Sequence, residues 1–481
     1  MLEQPIRFSE EDIELFSAVS GDRNPLHVSR EYASQTPYGH RVVFGALGAV
    51  ACLGRMPLPG GWTIRRLRAE FLRPMFLNVD YRMRIVEQRG EWIGRLYDGS
   101  LPTLSLTVEA AVAATQSTAE TPGAPWFERS EAAVREDAGI VPGLETSARY
   151  ACDSAALCAL RRRWCTTGDP FVVEALCCSS YLVGMDLPGR AALFSKLALD
   201  FERAPRQAAE PRYRASVRSL DPRTSQVRMN VSLELGDRLV AHGECWAFIR
   251  LAVPPVAEVE LPAAASDALA GQVALVIGAS RGLGAATRHA LEVRGALVYA
   301  LSRSTGDGAS DRCELGDAAD PTVLNRVRER ISAEQGRLDI LVCNACPPIL
   351  PLRLELNAIE RISDYVRRAI SLTLAPLCTF LDLANMSGGC AVVISSAAVE
   401  RPVREWPHYV AAKQAVEALA RVAPLQYPRI STLIVRPEKM LTQMTNTPAG
   451  RRGALPPERL AGRIAERLGQ PLKPGSSEIL N

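Results

Sequence analysis

Residues 273–284 read Val273-Ala-Leu-Val-Ile277-Gly278-Ala-Ser280-Arg281-Gly282-Leu283-Gly284. Five apolar residues run unbroken into a glycine-rich turn, the pattern of a strand buried on both faces that feeds a helix. Glycine at such a turn permits left-handed backbone and close approach of a neighbouring segment, while the following helix aims its first N–H groups at one point. Outward from this stretch, short apolar runs recur at Leu297–Leu301, Leu338–Val342, Cys390–Ile394 and Thr432–Val435, separated by longer stretches of helical period. The alternation predicts an α/β domain at 271–481 with a parallel, doubly wound sheet of Rossmann type.

Upstream the period changes. An unbroken apolar run from Val42 to Ala51 predicts a helix buried on all sides. Strands follow, with Leu67, Ala69 and Phe71 alternating with Arg66, Arg68 and Glu70, and similar alternation at Val79–Ile85 and Leu104–Val108. Beyond a Pro/Ala-rich stretch at Thr118–Pro125 the same order returns. An apolar segment Pro170–Met185 precedes a Pro188-Gly189 turn and alternating stretches at Leu197–Phe201 and Val227–Leu233. A helix followed by a meander, twice, resembles a tandem (double) hot-dog fold of α+β class, in which a curled antiparallel sheet wraps a helix. We therefore expect hot-dog units at 1–117 and 126–252, a linker at 253–270 and the parallel-sheet domain after it. The 481 residues leave room for about three domains at roughly 150 residues each.

Composition narrows the class. Hydrophobic residues make up 47% and charged residues 23%, and 56 basic residues nearly balance 53 acidic ones, so neither disorder nor a nucleic-acid partner is expected. No uninterrupted apolar run approaches the ~20 residues of a membrane span, and Met1–Asp12 is polar, which predicts a cytoplasmic protein. The twelve cysteines then read as reduced. Cys343-x-x-Cys346 has redox or zinc spacing but no second Cys/His pair accompanies it, and no metal site is expected. Histidines number only five, and lysines are confined to Lys196, Lys413, Lys439 and Lys473, so either type at a motif position is informative.

One such position is His27, in Gly21-Asp22-Arg-Asn-Pro25-Leu-His27. Pro25 stiffens the loop between a carboxylate and an imidazole, a pair able to hold one water or hydroxyl between an acceptor and a proton shuttle. The alternative is a capping Asp beside a surface His. The string resembles the signature of the MaoC-like, (R)-specific enoyl-CoA hydratase branch of the hot-dog superfamily, and Phe71-Leu72-Arg73-Pro74 resembles that family's strand motif. The resemblance implies that Asp22 and His27 share the catalytic water and that the N–H of Gly45 steadies the thioester oxyanion. Val43-Phe44 precedes that glycine where many relatives carry His.

A second constellation lies in the third segment. Gly278-x-x-x-Gly282-x-Gly284 resembles the cofactor loop of the short-chain dehydrogenase/reductase family, and further parts of that signature follow in order. Cys343-Asn344-Ala345 stands where the family has Asn-Asn-Ala, Ser396 ends the next strand, and Tyr409-x-x-x-Lys413 begins 13 residues later. A phenol works as acid or base near neutrality only if its anion is stabilised, and Lys413, one helical turn on, brings a positive charge to the same face. The resemblance implies that Gly278, Ser280, Arg281, Gly282, Leu283, Gly284, Arg303, Asn344, Tyr409 and Lys413 bind the nicotinamide cofactor. It also implies that Ser396 holds the substrate carbonyl while Tyr409 exchanges the proton. Arg281 and Arg303, with no acid after the second strand, favour the 2′-phosphate of NADPH. Departures are Ser371 for the family's fourth catalytic Asn, Cys346 for Gly, and Glu438 for the Gly after Pro437.

Together the resemblances imply a bifunctional enzyme that reduces a 3-ketoacyl thioester carried by CoA or an acyl carrier protein and dehydrates the (R)-3-hydroxyacyl product to a trans-2-enoyl thioester. The same residues also accommodate a dehydratase fused to a reductase of an unrelated carbonyl, or one half reduced to an acyl-binding or dimerisation module. A homo-oligomer is expected.

Overall fold

A computed structural model describes residues 2–58, 62–112, 139–165, 170–202, 211–255, 267–304 and 311–481. The stretch Thr118–Pro125, and residues 256–266 of the second expected linker, lie outside the described residues. Contacts divide the chain into Met1–Leu251 and Ala252–Asn481.

The first unit opens with β1 (Leu2–Ile6), α1 (Glu10–Ser20), α2 (Pro25–Val28), α3 (Arg30–Ser34), α4 (Gly45–Leu53), β2 (Trp62–Phe71), β3 (Tyr81–Gln88), β4 (Glu91–Asp98) and β5 (Leu101–Val112). It continues with β6 (Glu145–Arg149), α5 (Ser154–Trp164), α6 (Pro170–Tyr181), β7 (Ala192–Phe201), β8 (Pro211–Asp221), β9 (Gln226–Leu235) and β10 (Arg238–Ile249). All ten strands join one sheet in the order β1-β3-β4-β5-β2-β7-β10-β9-β8-β6. Read inward from either edge the succession is the same, so the two halves repeat one topology. Their seam is the antiparallel pair β2–β7, where buried Leu67 faces Leu199 and Ala69 faces Leu197. Charges on the opposite face of the seam match, Arg66 with Asp200 and Glu70 with Lys196 at 3.1 Å.

Helix α4 lies in the main core, and every residue from Ala46 to Leu53 is buried. It starts at Gly45 rather than Val42, because residues 42–44 have other backbone partners. Val43 N–H donates to Met75 O at 2.7 Å and Val42 bridges to Phe76. Helix α6 is the counterpart in the second half and runs on as a π-helical turn, Leu182–Asp186.

The second unit contains β11 (Val273–Ile277), α7 (Gly282–Glu292), β12 (Leu297–Ser302), β13 (Cys313–Leu315), α8 (Pro321–Gln335), β14 (Ile340–Cys343), α9 (Ile359–Ser387), β15 (Cys390–Ile394), α10 (Pro407–Gln426), β16 (Ser431–Val435), α11 (Pro457–Leu468) and β17 (Ser477–Leu480). The sheet is parallel, ordered β13-β12-β11-β14-β15-β16-β17, with separate apolar clusters that include residues from both faces. Strand order reverses between β11 and β14, and the crevice beyond their C-terminal ends is where doubly wound sheets bind ligands. Helix α9, at 29 residues, is longer than any unbroken apolar run in the sequence. With the turn before it, Leu356–Ser387 is long and apolar enough to cross a membrane, although half of its apolar window is buried in this domain. Polar residues on its outward face hide that length from a search for unbroken apolar runs.

Because the core of the first unit closes around α4, Leu47→Ala should cost that unit about 2–5 kcal/mol. Calorimetry should show its unfolding transition falling while that of residues 252–481 stays in place.

Candidate active sites

Helix α1 ends at Gly21 in left-handed conformation, with φ 71°, and the turn delivers Asp22 inward, only 1% exposed. One carboxylate oxygen accepts the Asn24 N–H at 3.0 Å and the other the Ser180 hydroxyl at 2.7 Å. Burial nevertheless wins, and Asp22 is pushed up to about 6. Asn24 is as buried as Asp22. Its amide oxygen caps α2 and its NH2 donates to the carbonyls of Gly184, Gly189 and Arg190. Pro25 then opens α2, and His27 sits on its last turn.

The His27 ring stacks on Phe44 at 4.0 Å, which sets it beside the start of α4. Nδ1 lies 2.7 Å from Val42 O, so the neutral ring carries its proton there and Nε2 is left as the acceptor. The crowding around the ring pushes His27 down to about 4. Helix α4 has no side-chain cap, so the N–H groups of its first turn, that of Gly45 among them, face out of the helix end. A Cβ at residue 45 would stand 2.7 Å from the Phe71 ring. The structure thus links Asp22 to His27 through Asn24, and His27 to Gly45 through Phe44. The arrangement offers a base at Nε2, a carboxyl able to carry a proton near neutrality, and an outward-facing helix N-terminus for a developing oxyanion.

Ser180 and Gly184 had no place in the sequence reading, whose motif of Asp22 and His27 lies wholly in the first half. Both stand on the helix of the second half and meet Asp22. A Cβ at residue 184 would lie 2.7 Å from either carboxylate oxygen. The signal was present in Ser179-Ser180, a polar pair inside an apolar helical segment.

In the second unit Gly278 and Gly282 hold φ of +81° and +56°, and the loop enters α7 at Arg281 without a side-chain cap. The Asn344 side chain donates to Gly278 O at 3.0 Å, and a Cβ at residue 284 would stand 1.9 Å from that same oxygen. Leu283 is buried in the core beneath the loop, and Ser280 lies half-buried in it. Burial and the neighbouring Arg303 guanidinium hold Arg281 below its ordinary value.

Tyr409 and Lys413 lie one turn apart on α10, with Nζ 5.7 Å from the phenol ring centroid and donating to Ile394 O at 2.7 Å. Ser396 shares a hydrogen bond with the phenol. The expected anion stabilisation is only partial. Burial holds Tyr409 above its ordinary value, Lys413 and Ser396 pull it back, and Cys346 nearby adds to the rise. Tyr409 therefore keeps its proton at neutral pH. Ser371 turns its hydroxyl back to Arg367 O within α9, and Glu438 pairs with Arg401 at the surface. Cys343 is buried in β14 and pushed up to about 12 by its burial, and all twelve cysteines are free. Among the described residues no three His, Cys, Asp or Glu side chains gather as a metal site.

Comparison with known proteins matches residues 272–451 to the family described as short chain dehydrogenase, and residues 1–97 to the MaoC like domain. Cis-4-hydroxycyclohexanecarboxylate dehydrogenase of Sinomonas cyclohexanicum is 33% identical over 177 residues, 34% of this chain and 69% of that protein. The chain belongs to the short chain dehydrogenase family, with a MaoC like domain ahead of its dehydrogenase domain. The 3-oxoacyl-[acyl-carrier-protein] reductase of Escherichia coli (strain K12) is 40% identical over 83 residues, which is 16% of this chain and only 34% of the reductase. A solved 3-ketoacyl-(acyl-carrier-protein) reductase from Brucella melitensis complexed with NADH is 22% identical, with TM-score 0.40, covering 44% of this chain and 97% of that one.

Membership in this family implies a nicotinamide cofactor, and the dehydrogenase domain fits one. The uncapped start of α7 and the side-chain-free cradle at Gly278 and Gly284 suit a pyrophosphate, and Asn344 fixes the cradle from the far side of the strand reversal.

In the MaoC like domain the folded value of Asp22 stands above its ordinary 3.8. Ionising it therefore costs stability, a cost that builds as pH rises from about 4 to about 6. Ser180→Ala removes a hydrogen bond to the charged form and should raise the Asp22 midpoint by roughly one unit, read by carboxyl NMR titration. An unchanged midpoint would show that Ser180 does not hold the carboxylate.

Proposed function

We propose that the chain is a bifunctional acyl-thioester enzyme, in which NADPH-dependent reduction of a 3-ketoacyl thioester on CoA or an acyl carrier protein gives the (R)-3-hydroxyacyl thioester, which is then dehydrated to the trans-2-enoyl product. The observation that carries the reading is the protonation state of the two sites. Tyr409, held neutral by burial, is set to donate a proton to a carbonyl, as reduction requires. Asp22 pushed up and His27 pushed down form an acid and a base for elimination. The bound cofactor supplies the hydride. Ser396 orients the carbonyl toward the phenol, and Lys413 limits the cost of the phenolate left behind. In the other site His27 Nε2 takes the α-proton, Asp22 delivers a proton to the departing hydroxyl, and the Gly45 N–H steadies the enolate oxygen. The product of the first reaction is the substrate of the second, so one chain raises its local concentration.

The finer points of the reading rest on the same residues. The repeated strand order supports a double hot-dog spanning 1–117 and 126–252, followed by the linker at 253–270 and the reductase domain at 271–481. Arg281 beside Arg303 supports NADPH over NADH. The reading takes the chain to act as a homo-oligomer in the cytoplasm. A reductase for a different carbonyl is the second reading, favoured by the longer match to a dehydrogenase of a cyclic hydroxy acid.

Incubation of the purified chain with NADPH and a short 3-ketoacyl thioester, followed by mass analysis, should yield the enoyl thioester. Tyr409→Phe should block hydroxyacyl formation, whereas Asp22→Asn should let hydroxyacyl accumulate with enoyl formation down at least about a hundredfold. Undiminished enoyl formation by the Asp22 variant would overturn the assignment. Hydroxyacyl or enoyl product absent in the wild type, with cofactor bound, would favour the second reading. Arg303→Ala should raise the KM for NADPH about tenfold and leave that for NADH unchanged.

A further inference from the structure

Arg250 follows the last strand of the first unit, where its N–H donates to Ala191 O at 2.9 Å. Its guanidinium lies 5.3 Å from the Tyr32 ring centroid, and Nη2 donates to the Tyr32 hydroxyl at 2.6 Å and to Arg190 O at 3.4 Å. The Arg190 guanidinium stands over the same ring at 5.1 Å. Arg190 O also accepts from Asn24, so Arg250 is two hydrogen bonds away from the residue that holds Asp22. Among the described residues no carboxylate pairs with Arg250, and its Nε is buried without a hydrogen-bond partner. A guanidinium so placed has lost part of its hydration without gaining a counter-charge, an unfavourable state that an oxyanion relieves. Tyr32 fixes the position of the guanidinium by stacking and by its hydroxyl, as a built anion receiver requires.

We propose that Arg250, held by Tyr32 and assisted by Arg190, binds an oxyanion of the thioester that occupies the Asp22/His27 site. The inference rests on the dehydratase reading of that site and adds a substrate requirement to it. The oxyanion is either the phosphate of the pantetheine arm or a carboxylate on the acyl group. Arg250 is felt at the dyad, where its charge helps hold His27 low. An anion bound to it would relax that effect. Arg250 comes from the second half of the unit, as Ser180 does, so that half takes part in binding as well as in positioning.

The test is hydration of enoyl thioesters by the full chain, run as three arms: crotonyl-CoA, the crotonyl thioester of N-acetylcysteamine, which has no phosphate, and a carboxylated enoyl thioester of N-acetylcysteamine. Arg250→Met should raise KM roughly ten- to hundredfold in the arm that carries the recognised anion, with kcat changed less than about threefold, and Arg250→Lys should recover part of the loss. A rise confined to crotonyl-CoA identifies the phosphate, and one confined to the carboxylated arm identifies the acyl carboxylate. Unchanged KM in all arms, with an unchanged melting curve, overturns the proposal. If the wild type hydrates none of the three, the dehydratase reading fails separately. The anion site is then judged by thermal shift with inorganic pyrophosphate, where stabilisation lost in Arg250→Met upholds it and equal or absent stabilisation overturns it.

Discussion

Everything chemical in the first 251 residues depends on the antiparallel seam between β2 and β7. It turns two half-sheets into one ten-stranded surface and packs α6 beside α4 in a single core. Isolated, the first half would leave Asp22 facing solvent, and a carboxylate in water titrates near its ordinary value. With the seam closed, the end of α6 and its π-helical turn cover the carboxylate so closely that residue 184 has room for no side chain. The three carbonyls that anchor Asn24 come from the same turn and the loop after it. The half without the motif therefore completes the site of the half with it.

One force sets the protonation states in both units. Burial is the leading cause for Asp22, His27 and Tyr409 alike, and in each case it favours the neutral form. Near neutrality the consequences differ because the ordinary values differ. An acid raised to about 6 stays within reach of its proton, a base lowered to about 4 is empty, and a phenol raised further is full. Hydrogen bonds act as corrections to this frame. Those to Asp22 from Ser180 and Asn24 moderate the rise, and at Tyr409 the Ser396 hydrogen bond does the same together with the positive charge of Lys413.

The parallel sheet was legible because its strands are buried on both faces, so Val273–Ile277 and Cys390–Ile394 appear as uninterrupted apolar runs with their observed bounds. Strands of the antiparallel sheet were less so. In β10 a bulge between Leu239 and Ala241 breaks the period of two, and in β4 one of the inward positions is Gly94. Candidate residues marked by type and local spacing, such as Asp22, His27, Tyr409 and Lys413, could be named from the sequence alone. Ser180, Gly184 and Arg250 could not, since each lies more than 150 residues from the dyad and only pairing of the two halves brings it there.

The departures in the dehydrogenase domain fall where its frame tolerates them. The lysine of the site is oriented by Ile394 O, a backbone group at the end of β15, so its placement does not depend on the residue at 371. Behind it, fully buried Glu417 accepts from Ser395, Arg421 and both reachable nitrogens of Arg436, and against its burial these partners hold it down to about 2. That clamp ties α10 to the ends of β15 and β16 and fixes the strand end from which Ser396 emerges. Breaking one arm would leave a buried charge without full compensation, a larger penalty than most single contacts carry. A constraint of that size keeps Ser396, Tyr409 and Lys413 in register, and positions outside it, Ser371 on α9 and Glu438 at the surface, are free to vary without moving the three.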